Sequence, residues 1–135
     1  MKKGIWIVLV LLLAAPLQAA SPFKTQMDQW NQAAIKLQSG LLRGNFVEIS
    51  EAAWAINRAP ALDQQLVSRL KSQLEDKDFK DLSKFDRYVR ITAEGLAKKA
   101  GQNDLRGALV EQGKLLAACV QCHDLFKIKV LKALQ

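Results

Sequence analysis

The sequence predicts an all-α fold, an antiparallel up-down-up-down four-helix bundle, and three observations predict it. Beyond residue 20 the only prolines are Pro22 and Pro60, and no apolar/polar alternation is long enough for a strand. Apolar residues recur at steps of three and four along four long segments, the spacing of a helix that buries one stripe. The joints between those segments are short, so consecutive helices must double back on one another.

The first twenty residues stand apart. Lys2 and Lys3 open the chain, Ile5 to Ala15 form an apolar run, and Pro16-Leu17-Gln18-Ala19-Ala20 resemble a cleavage region. Met1 to Ala20 therefore read as a secretory signal peptide. The run is short for a membrane span, so no membrane association is expected after its removal. Residues 21–135 suffice for a single domain. The formal charge of +7 includes Lys2 and Lys3, so the remainder is only modestly basic. Such a balance favours solubility and anionic partners and does not argue for nucleic acid.

Segment one is expected from about Pro22 to Leu42, with Phe23, Met27, Trp30, Ala34, Leu37 and Leu41 on its inward seam. Arg43-Gly44-Asn45 ends it, and Asn45 with Glu48 has the spacing of a capping box for segment two. Segment two carries Phe46, Ile49, Ala53 and Ile56 as far as Ala59-Pro60. A shorter helix is expected within Ala61 to Lys77, followed by a solvated joint at Glu75-Asp76-Lys77-Asp78. Segment three spans about Phe79 to Ala100, where Gly101 is placed to stop it and Asn103 to cap the next helix. Segment four runs from Asp104 almost to the end, with Leu105, Leu109, Gln112, Leu116, Cys119, His123, Phe126 and Val130 in one register.

That last register contains the chemistry. Cys119-Val120-Gln121-Cys122-His123 holds the only two cysteines and the only histidine of the chain. Cys-x-x-Cys-His is the spacing of c-type haem attachment. Thiols three residues apart share a helix face, about 5 Å from one another, and can each reach one vinyl group of a single porphyrin. The adjoining imidazole can ligate the iron from below. In the expected topology the end of segment four lies level with the starts of segments one and three. His123 should therefore lie near Met27, Trp30, Phe79, Leu82, Phe85 and Ile56, with the haem at one end of the bundle.

Other chemistries fit less well. A thiol-disulfide oxidoreductase would need Cys119 and Cys122 at a helix N-terminus, where a thiol pKa is lowered; here they lie well inside a helix. Two cysteines and one histidine leave a structural zinc site one ligand short. The carboxylates are scattered over polar faces and suggest no acid–base pair. A helical stress or chaperone protein would leave the motif accidental.

In its leader, its helical plan and its C-terminal Cys119–His123 motif, followed by Asp124, Phe126 and the basic Lys127, Lys129 and Lys132, the chain resembles the cytochrome c-prime superfamily, the class II c-type cytochromes. The resemblance covers essentially all of residues 21–135. It implies one covalently attached haem c, a periplasmic location, and an electron carrier rather than an enzyme. Cys119 and Cys122 would be the thioether anchors and His123 the proximal ligand. Low-spin members place a methionine early in helix one as distal ligand, and Met27 is the only methionine outside the leader. The alternative within the family is a five-coordinate iron that binds nitric oxide or carbon monoxide. Members often carry an arginine one turn before the distal residue to pair with a haem propionate. Here that position is Phe23, which leaves Lys24, Arg87 and Arg90 as candidates. The resemblance also implies periplasmic redox partner proteins, whose acidic docking surfaces would suit the basic tail, and a homodimer through helices one and two as one assembly state.

Overall fold

A computed structural model describes residues 21–135; the leader expected at residues 1–20 lies outside the described residues. Within them the chain is all-helical: α1 (Pro22–Arg43), α2 (Phe46–Asn57), α3 (Gln64–Gln73), α4 (Asp76–Gly101) and α5 (Leu105–Ala133). The four long segments and the shorter helix expected after Pro60 are all present.

The turns show why the helices stop where they do. Gly44 takes the left-handed conformation, φ 64°, its N–H donates to Leu41 C=O, and the Asn45 N–H reaches back to Gly40 C=O at 2.9 Å. That pair of bonds closes α1 in a Schellman turn. Asn45 then caps α2 by accepting from the Glu48 N–H at 3.2 Å. The expected capping box forms only by half: the Asn45 N–H is already committed to Gly40, and the Glu48 carboxylate pairs with Arg43 instead. Gly40 itself lets α2 approach, since a Cβ there would lie 3.0 Å from the Ile49 side chain.

Two joints differ from expectation. The acidic run at residues 75–78 is the start of α4 and no separate linker, with Glu75 as N-cap and Asp76 and Asp78 in the first turn. Carboxylates are favourable there because the helix N-terminus carries partial positive charge. At the other end Gly101 remains helical and Asn103 makes the left-handed turn, φ 57°. Asn103 N–H donates to Ala100 C=O and Asp104 N–H to Lys99 C=O, a second Schellman turn, so Asp104 rather than Asn103 caps α5.

The long helices pack in chain order. α2 lies against α1 and α4, and α4 against α5, whereas α5 meets α1 and α3 only slightly. Apolar side chains gather in two clusters. The larger joins Leu37 and Leu41 of α1, Ile49, Ala53 and Ile56 of α2, Val89 and Leu96 of α4, and Leu115 and Ala118 of α5. The smaller lies under α3, where Leu66, Leu70 and Leu74 meet Leu82, Phe126, Val130 and Ala133.

Two registers are corrected by this packing. On α5 the buried residues are Ala108, Leu115, Ala118, Phe126, Val130 and Ala133, while Leu105, Leu109, Leu116 and His123 are exposed. The small residues Ala108 and Ala118 allow α4 to come close with its own Ala93, Ala97 and Ala100. This close approach turns the leucine stripe toward the unclosed α1 side. On α1 the buried positions are Gln26 and Ala33, not Met27 and Ala34, which are only partly buried.

Candidate functional site

The Cys119–His123 segment sits in the last third of α5, at the border between the two apolar clusters. Cys119 packs against the larger cluster and Cys122 against the smaller. Both are free thiols and both are half-buried. Successive helical residues are offset by roughly 100°, so His123 emerges on the flank of α5, beyond Cys119 and in line with Leu105 and Leu116. Glu111 and Lys129 mark the other flank: Glu111 lies beside Gly95 of α4, and Lys129 pairs with Asp78 of α4 at 2.6 Å. Cys119 packs against the core as expected, but His123 is exposed and Cys122 is half-buried against the smaller cluster, because the helix has turned by about one residue toward α4.

The α1 wall is fixed in the same way. Lys36 pairs with Glu51 of α2 at 2.8 Å, which marks the α2-facing flank. Met27 and Ala34 lie on the opposite flank, facing the α5 side. Phe23 packs in the cluster that contains Phe126 and Cys122, and Trp30 packs in the cluster that contains Cys119. Met27 falls between Phe23 and Trp30 in sequence and is partly buried, whereas His123 is exposed. Of the neighbourhood expected around His123, Phe79, Leu82 and Phe85 lie in the smaller cluster with Cys122 and Ile56 lies in the larger, while His123 itself is exposed; Phe85 meets Phe126 edge to face at 5.9 Å between ring centres.

Burial sets the state of the thiols. It raises the Cys119 thiol pKa above its ordinary range. It pushes Cys122 up to about 11, with smaller contributions from the neighbouring Cys119 and Asp86. Desolvation disfavours the thiolate, so both sulfurs are protonated at neutral pH. A redox pair needs the reverse, a thiol that ionises readily. The thiol-disulfide reading loses its support at this point.

Two features were not visible in the sequence pattern. Gln26 is buried, at 6% exposure, and its Nε2 has no hydrogen-bond partner; Trp30 Nε1, one turn later on the same face, is also buried and unpaired. Their only signal was a glutamine one place from the apolar seam. Arg90, one of the three candidate propionate partners, is a staple between helices. It donates to the carbonyls of Asn57 at 3.1 Å and Ala59 at 2.6 Å, pairs with Asp86, and lies 5.4 Å from the centre of the Trp30 ring. Lys24 pairs with Asp28 on the surface, and Arg87 is exposed.

The residues present fit a covalently held haem. Two neutral thiols adjoin apolar clusters, an accessible imidazole follows them, and two buried N–H donors on α1 lack acceptors. Among the described residues no group of three or more His, Cys, Asp or Glu could hold a metal by itself. Two shallow clefts lie along α2, one beside Phe46 and Ala100 and one beside Gln29 and Arg58; neither includes the motif. Among the described residues no helix is long and apolar enough to cross a membrane. No protein-family model matches the chain, and neither does any curated protein or solved structure.

Proposed function

We propose that this chain is an exported, periplasmic monohaem c-type cytochrome that carries electrons, with its four long helices forming a bundle around one haem c. The observation that carries the reading is the placement of Cys119 and Cys122. Each is a free, half-buried thiol against a different apolar cluster, and the exposed His123 follows them directly in the helix.

Each residue then has a task. Cys119 and Cys122 would hold the haem covalently as thioethers, and His123 and Met27 would hold its iron through the imidazole and the thioether. Haem c would supply reversible one-electron chemistry at iron, and a His/Met pair favours the reduced state. Phe23, Trp30, Phe85 and Phe126 would help to keep water from it. The basic residues Lys127, Lys129 and Lys132 favour partner proteins with acidic docking surfaces. The c-prime resemblance is consistent with each of these roles.

A second reading has one observation in its favour. Met27 is only partly buried, and the deeply buried residue beside it is Gln26. If Met27 does not reach the iron, the sixth position is open to nitric oxide or carbon monoxide.

The test is the optical spectrum of the protein exported by a host competent in cytochrome c maturation, together with its intact mass. A mass increased by one haem, with a sharp low-spin reduced spectrum indifferent to carbon monoxide, is expected. A high-spin spectrum that shifts with carbon monoxide favours the gas-binding reading. Absence of covalent haem overturns both.

A further inference from the structure

Resting on the haem reading, we infer that Gln26 and Trp30 form the hydrogen-bond seat of one haem carboxylate, a role that no arginine of α1 is placed to fill. Gln26 Nε2 and Trp30 Nε1 are both buried and both without an acceptor. Buried N–H groups are almost always paired, and an unpaired one costs the full desolvation of the donor. Two such donors one helical turn apart on the same face define a place that wants an acceptor. Nothing in the polypeptide supplies it.

The surroundings specify an anionic acceptor. The Arg90 guanidinium lies over the Trp30 ring, 5.4 Å from its centre, so positive charge stands close to the indole. The contact of Arg90 NH2 with Pro60 C=O is long, 3.4 Å, and leaves that nitrogen able to take a further partner. Its one carboxylate partner, Asp86, is on the Nε side. The family's usual position for a propionate partner holds Phe23, and Phe23 packs into the smaller apolar cluster. Two neutral N–H donors with a guanidinium beside them match a carboxylate, whose oxygens accept several charge-assisted hydrogen bonds. Gln26 is buried where Met27 is only partly so, and Trp30 packs against the same apolar cluster as Cys119. The carboxylate would therefore be drawn toward the bundle interior and shielded from water.

The test uses the haem-loaded protein and two conservative variants, Trp30→Phe, which removes the N–H and keeps an aromatic ring, and Gln26→Leu, which keeps the volume. Resonance Raman spectroscopy reports the propionate bending modes separately from the iron–ligand modes. Both variants are expected to shift a propionate band while leaving the iron–ligand bands in place. Their thermal unfolding should move by roughly 4–8 °C downward, the shift of a lost charge-assisted hydrogen bond in a domain of this size. The same substitutions in apoprotein, where the donors lack an acceptor, should leave stability unchanged or raise it. Unmoved propionate bands in both haem-loaded variants overturn the inference and leave the haem reading intact. A shift confined to iron–ligand bands overturns it in favour of donors to the sixth position. Wild-type protein without haem overturns both together.

Discussion

Asn57 and Arg90 clasp one another across thirty-three residues of sequence: Asn57 Nδ2 donates to the Arg90 carbonyl at 3.0 Å, and the Arg90 guanidinium donates to the Asn57 carbonyl at 3.1 Å. The guanidinium also takes the Ala59 carbonyl, so it satisfies the acceptors that the end of α2 leaves open. A cation at a helix C-terminus is favoured by the helix dipole as well. Arg90→Ala should therefore destabilise the protein by about 2–3 kcal/mol, the range for hydrogen bonds from a charged donor that leave carbonyls unpaired. Lysine cannot fork between two carbonyls, so Arg90→Lys should recover only part of that loss. Chemical denaturation of the two variants measures both quantities.

The cysteines give the apoprotein a pH signature. Burial raises the Cys122 pKa from its ordinary value of about 9 to about 11. Unfolded protein therefore loses that proton at lower pH than folded protein does. Between pH 9 and 11 the folded state binds more protons, so stability falls as pH rises through that window and levels off above it. The haem-bound protein, whose sulfurs are thioethers, should show no such contribution. Urea melts of apoprotein and of the Cys122→Ser variant across this range check the sign; a flat profile for the parent would contradict it. Thiol alkylation should likewise be slow at neutral pH in folded apoprotein and fast in urea.

The helix-ending turns test backbone conformation without touching the site. Gly44 and Asn103 both have positive φ, 64° and 57°. Gly44→Ala should cost about 1 kcal/mol through the left-handed backbone. Asn103→Gly should be neutral or stabilise by a few tenths of a kcal/mol, since glycine adopts that region freely. Thermal melts should show a lowered Tm for Gly44→Ala and no lowering for Asn103→Gly.

Much of the helical plan was legible because its signals are local. Asn45 three residues before Glu48, Gly44 after Arg43, and the three-and-four spacing of Leu37 and Leu41 each depend on neighbours a turn away. The Cys119–His123 motif was legible for the same reason. What the pattern missed is set between helices. Counting leucines put Leu105, Leu109 and Leu116 inward, but alanines let α4 and α5 approach along Ala108 and Ala118, and the leucines turned outward. The same one-residue rotation of α1 buries Gln26 in place of Met27. Arg90 could not be recognised as a staple, because its acceptors are backbone carbonyls of a distant segment.

The rotation sharpens the question of the distal ligand. Met27 is partly buried on α1, and His123 is exposed on α5. A thioether on a flexible, unbranched side chain can adjust its position with little rearrangement of the backbone. Met27→Ala in the haem-loaded protein should then abolish the far-red sulfur-to-iron band of the oxidised form. It should also lower the midpoint potential, since the thioether is the ligand that raises it, and it should admit carbon monoxide to the reduced iron. Met27→Leu should do the same while keeping the side-chain volume, which separates ligation from packing. If both variants retain the parent spectrum, Met27 is not a ligand.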